Sequence, residues 1–100
     1  MNGYEKSMGN LIDDLSKDVI IVNELGLHAR SAARIAKLAE GAKSKVWIIK
    51  SGEKVDAVSI IEILTLACPK GSKITVKIDE QKDIEILNAI VKLVESGFGE

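Results

Sequence analysis

Aromatic residues are almost missing from this chain: its 100 residues include one Trp, one Tyr and one Phe. A base-stacking platform for nucleic acid needs more rings, and a net charge of −1 gives polyanions no general attraction. Neither nucleic acid nor an anionic membrane is therefore expected as a partner. With so few rings the core must be aliphatic, built from Ile, Val, Leu and Ala. Cysteine occurs once, at Cys68, which excludes a disulfide within the chain and reads as a small buried hydrophobe. No apolar run approaches the about 20 residues that a membrane-spanning helix needs. No basic flank leads into an apolar stretch at the N-terminus, so no secretion signal is read there. The expected setting is reduced and cytoplasmic. The acidic pairs Asp13-Asp14 and Asp79-Glu80 have no histidine beside them, so no metal site is expected, and the sequence is read without a cofactor.

What is present is one domain's worth of globular sequence, 46% hydrophobic and 29% charged. Residues 1–17, with Asn2-Gly3 and Gly9-Asn10, read as an N-terminal extension in which Leu11, Ile12 and Leu15 make at most one amphipathic turn. Residues 18–100 read as the domain. The β-branched run Val19–Val22 predicts a strand. Ala32, Ala33, Ile35, Ala36, Leu38 and Ala39 predict a helix from Ala29 to Ala39, with Gly41 placed to stop it in a left-handed conformation. Lys45–Ile49 and Lys54–Ala57 flank Ser51-Gly52 as a hairpin. Ser59 and Glu62 match a capping box and predict a short helix from Ser59 to Leu66. Pro69-Lys70-Gly71 breaks the chain. Lys73–Asp79 alternates as a strand with one wet face. Lys82–Glu95 carries apolar residues at helical spacing, ended by Gly97 and Gly99. The order βαββαβα predicts an α+β fold, an open-faced two-layer β-sandwich. Its four-stranded, mostly antiparallel sheet is covered by helices on one face.

Histidine also occurs once, in Asn23-Glu24-Leu25-Gly26-Leu27-His28-Ala29-Arg30. His28 stands where the loop turns into the first helix, against unpaired N–H groups and the positive end of the helix dipole. That environment suits a phosphate, and a neutral imidazole there can receive one. The backbone of Ala29, Arg30 and Ser31 would hold the phosphate, and the Arg30 guanidinium would add a fixed charge. Leu27, Ile60, Ile61 and Leu64 are candidates for an apolar docking patch, with Arg34 and Lys37 as its basic rim.

Gly26-Leu27-His28-Ala29-Arg30, with Ser59 opening a short apolar helix and Lys70-Gly71 before a strand, resembles the HPr family, the histidine-containing phosphocarriers of the phosphoenolpyruvate-dependent phosphotransferase system. The ending Glu95-Ser96-Gly97-Phe98-Gly99 resembles the nitrogen-related branch more than the sugar branch. The resemblance implies that His28, modified on Nδ1, accepts a phosphoryl group from phospho-enzyme I and passes it to an enzyme IIA-type acceptor. Arg30 then matches the phosphate-contacting arginine. Ser59 matches a serine that a dedicated serine kinase phosphorylates in some members. Three departures stand out. Ser31 replaces the usual proline, which would preorganise the first turn, and instead adds a hydroxyl expected within reach of the phosphate. Val58 and Glu62 replace a frequent lysine and a small residue around Ser59, and a carboxylate there repels a phosphoserine. The extension is absent from compact members. The expected protein is a monomeric carrier, not a catalyst on its own. The alternative is a regulatory phospho-switch that binds kinases or transcription regulators without serving transport.

Overall fold

The computed structural model describes residues 15–100. Four strands, β1 (Ser16–Ile20), β2 (Val46–Lys50), β3 (Glu53–Asp56) and β4 (Lys73–Ile78), form one sheet in the order β1-β4-β2-β3. Every neighbouring pair is antiparallel. The helices are α1 (Ala29–Ala39), α2 (Ile60–Thr65) and α3 (Ile84–Glu95), with short 3-10 turns at Gln81–Asp83 and Gly97–Gly99. This is the α+β open-faced sandwich expected from the element order.

Alternation explains the layers. In β4, Ile74, Val76 and Ile78 are buried, whereas Thr75 and Lys77 between them are only partly covered. Val46 and Ile48 of β2 and Val19 of β1 face the same core. The helices close it. α1 buries Ala32, Ile35, Ala36 and Ala39, which recur on one face, and α3 buries Leu87, Ile90 and Val94. α1 packs against both α2 and α3, and α3 lies on β1 and β4. On the open face Trp47 donates to Asp79 Oδ1 at 2.9 Å and carries the Lys54 ammonium 4.4 Å above its ring. Cys68 is buried, as expected, and burial pushes its thiol pKa up.

The first strand begins three residues before the predicted β-branched run. Ser16 and Lys17 pair with Lys77 and Val76 through their backbones, and polar side chains do not advertise such pairing. Lys17 reaches over α3 to Asn88 Oδ1 at 2.8 Å. The predicted extension therefore contributes its last residues to the sheet. Leu15 O accepts from the Ile78 N–H at 2.8 Å, and residues 1–14, including Leu11 and Ile12, lie outside the described residues.

Two caps differ from expectation. Gly41 does not take a left-handed conformation, and α1 ends at Glu40 in right-handed geometry. The absence of a side chain at Gly41 serves space instead, because a Cβ there would lie 3.3 Å from Ile86 Cδ1. At α2, Ser59 Oγ accepts from the Glu62 N–H at 3.2 Å. The Glu62 carboxylate, however, accepts from the Asp56 N–H, and Ser59 N–H goes to Asp56 O, so the capping box is only half formed.

The hairpin turn supplies a test. Ser51 and Gly52 both have positive φ, 50° and 82°, the combination of a primed two-residue turn. Serine carries a steric cost in that conformation that Asn largely avoids. Ser51→Asn is expected to raise stability by about 0.5 kcal/mol, read as a higher denaturant midpoint with unchanged slope. An unchanged or lower midpoint would argue against the strained serine.

Candidate functional site

The loop leading into α1 is shaped by one residue without a side chain. Gly26 has φ +67°, and its N–H closes a turn onto Asn23 O at 3.1 Å. Leu27 N–H then donates to Cys68 O at 2.8 Å, fastening the loop to the segment before β4. This turns Leu27 inward, where only 8% of it is exposed. Leu27 is thus a core residue and not part of the apolar surface patch with which it was grouped.

His28 follows as the N-cap of α1, in extended geometry with φ −120° and ψ −178°. Its ring is half-buried. The N–H of Arg30 donates to Nδ1 at 3.3 Å, and Nε2 lies 2.6 Å from Glu100 Oε2. These partners assign the tautomer: Nδ1 carries the lone pair and Nε2 carries the hydrogen donated to the carboxylate. Ser31 locks the cap from beneath. Its Oγ accepts from the His28 N–H at 2.9 Å and donates to the Gly26 and His28 carbonyls, and the residue is fully buried. What Ser31 offers an anion is therefore backbone, not hydroxyl. Serine fixes the first turn by hydrogen bonds where a proline would do so by ring geometry.

Glu100 and Asn23 were not singled out in the sequence. Asn23 is buried, and its Nδ2 donates to Gly26 O at 2.8 Å and to Glu100 Oε1 at 3.0 Å. One carboxylate thus clasps both the ring and the loop. The tail that delivers it runs through three successive left-handed residues, Gly97 (68°), Phe98 (60°) and Gly99 (73°). The Phe98 ring is buried in the core, and its carbonyl accepts a hydrogen bond from Arg34. Arg30 is exposed beside this tail. It lines, with Arg34 and Glu100, a depression of about 500 Å³ next to the histidine.

The clasp lowers the Glu100 carboxyl pKa below its ordinary 4.5, first through the hydrogen bond from His28, then through that from Asn23, with a contribution from the Arg30 charge. A carboxyl lowered in the folded state stabilises it above the ordinary value, and that contribution disappears as pH falls through the lowered value. The clasp should therefore be intact at neutral pH and open only below 4.5. A carbon-13 titration of the Glu100 carboxyl checks this: a midpoint at or above 4.5 would contradict it.

The site can now be set beside known proteins. A family model described as "PTS HPr component phosphorylation site" matches residues 15–96. The chain belongs to the HPr family. The HPr phosphocarrier of Cupriavidus necator is 38% identical over 86 residues, spanning 86% of this chain and 97% of that protein. The HPr phosphocarrier of a Neisseria meningitidis serogroup A strain is 35% identical over the same length and shares. A crystal structure of HPr from Thermoanaerobacter tengcongensis superposes with a TM-score of 0.80 at 35% identity, covering 85% of this chain and 96% of that one. Membership carries with it the role of a phosphocarrier of the phosphotransferase system. Among the described residues no helix is long and apolar enough to cross a membrane, and no group of His, Cys, Asp and Glu is arranged to hold a metal.

The remaining candidates lie on the second and the first helix. Ser59 caps α2 through its hydroxyl. Ile60, Ile61 and Leu64 of α2 are exposed, Ile61 by 77%. Leu25, exposed by 67% in the loop before His28, adds an apolar group that the sequence reading did not include. Arg34 and Lys37 line a cleft with Lys92 against α3, and Arg34 also borders the depression beside the histidine.

Proposed function

We propose that His28 accepts a phosphoryl group from phospho-enzyme I and passes it to an enzyme IIA-type acceptor. The observation that carries this reading is the Nδ1 lone pair at the start of α1, contacted only by a long hydrogen bond from the Arg30 N–H, on a ring whose other nitrogen is already held by Glu100. The nucleophile is Nδ1. A bond forms between it and phosphorus while the donor's bond to the same phosphorus breaks, and no proton needs to leave Nδ1. Nε2 keeps its hydrogen, and Glu100 stabilises the positive charge that the substituted ring acquires. The phosphoryl oxygens gain the first-turn N–H groups and the Arg30 guanidinium. Acceptor and donor dock over Leu25, Ile60, Ile61 and Leu64, an apolar surface suited to brief contacts.

The site is shallow and has no enclosing wall, so the bound phosphoryl group stays available to the next protein. Incubation with enzyme I and labelled phosphoenolpyruvate should give acid-labile, base-stable label on the chain, absent from His28→Ala. The label should then chase into an enzyme IIA-type protein. Equal labelling of His28→Ala would sink the assignment, and label that never leaves would sink the carrier role.

A further inference from the structure

α1 and α3 lie side by side and leave a cleft of about 640 Å³ between them. Leu38 of α1 with Ala89 and Leu93 of α3 form its floor, each only partly covered by neighbours. Arg34, Lys37 and Lys92 stand around it, and no acidic side chain lines it. That is not the average of this surface, since the chain has 15 acids against 14 Lys and Arg. The acids of α3, Glu85 and Glu95, border an adjoining depression beside β1 that shares Ala89 and Lys92 with the cleft. Among the described residues Lys37 and Lys92 enter no ion pair, while Arg34 is engaged by the Phe98 carbonyl.

An apolar floor ringed by cations, with no acid among its own lining, complements a ligand of the opposite layout, an apolar body with an anionic head. The volume lies within the roughly 300–1,000 Å³ of small-molecule sites. From Ala89 to Ser96 the cleft follows about 10 Å of helix, too short to seat a docked helix of three turns and suited to a small molecule. We propose that this cleft binds a small amphiphilic carboxylate. Its acyl or aryl body rests on Leu38, Ala89 and Leu93, and its carboxylate on Lys37 and Lys92. The site does not depend on phosphoryl transfer.

Octanoate, kept below its micelle-forming range, is the probe for nitrogen-15 spectra of the full chain, with octanol and acetate as controls. Octanoate should give saturable shifts at the Leu38, Ala89, Leu93 and Ser96 amides. Octanol lacks the charge and acetate lacks the body, so both should bind more weakly. The double variant Lys37→Gln, Lys92→Gln changes only exposed side chains and should keep its amide spectrum while losing about tenfold in octanoate affinity. His28→Ala should bind octanoate as the parent chain does, which separates this test from that of the carrier role. No saturable shift in the cleft, octanol binding as tightly as octanoate, or undiminished binding by the double variant would each overturn the proposal.

Discussion

Gly26→Ala is expected to lower stability by about 3 kcal/mol and to disable the histidine loop with it. Two penalties act together. Alanine at φ +67° costs about 1–2 kcal/mol before any contact is counted. The added Cβ would then lie 2.3 Å from Cys68 O and 2.8 Å from Pro69 Cα, both backbone atoms that no rotamer change can move aside. Relief requires the loop to separate from the segment before β4. That breaks the bond from Leu27 N–H to Cys68 O, and His28 loses its fixed place at the start of α1. Gly52→Ala is the matched control: its φ is +82°, but a Cβ there meets nothing within 4 Å. The control should lose only the backbone penalty and keep full phosphorylation. Denaturant midpoints and labelling rates of the two variants decide the matter. Equal losses would show that the close approach at Gly26 is unimportant.

Asp83→Ala should be nearly as damaging, by about 3 kcal/mol, although Asp83 lies far from the histidine in sequence. Asp83 is buried at the start of α3, and its two carboxylate oxygens accept from the backbone N–H groups of Lys43 and Ser44, each at 2.9 Å. Together they anchor the connection between α1 and β2 to α3. Alanine leaves two backbone donors without acceptors, at about 1–3 kcal/mol for each one kept from water. Asn retains one acceptor oxygen but sets an NH₂ against a donor, so Asp83→Asn should fall between parent and Ala. The single tryptophan, Trp47 on β2, reports unfolding by its fluorescence. Labelling of His28 at low denaturant should survive in both variants. A midpoint for Asp83→Ala within experimental error of the parent would refute the anchor.

These two residues also mark where sequence reasoning stops. The strands and helices were legible because Ile, Val, Leu and Ala recur at periods of two and 3.6, and His28-Ala29-Arg30 was legible because it opens an alanine-rich helix. The shift of β1 was not, since Ser16 and Lys17 pair by backbone alone. Asn23, Asp83 and Glu100 look like ordinary polar residues in a one-dimensional reading. They acquire their roles through partners far along the chain, Glu100 to His28 across 72 residues and Asp83 to Lys43 across 40. Leu27 looked like part of a surface patch because the alternation of a loop says nothing about inside and outside. The left-handed Gly26 and one hydrogen bond to Cys68 decided it. Phe98 gave no sign that it would adopt positive φ, a conformation in which its ring is buried and its carbonyl accepts from Arg34.

The strand order has a temporal meaning. β1, translated early, finds its hydrogen-bonding neighbour only in β4, and Asp18 meets Thr75 across 57 residues. The ring of His28 waits longer still, for a carboxylate at position 100. A ribosome-bound chain lacking these later residues can coil its first helices and close the β2–β3 hairpin, but it leaves β1 without a neighbour and the histidine without its companion. The acquisition of phosphoryl competence during synthesis should therefore be abrupt and late, not gradual.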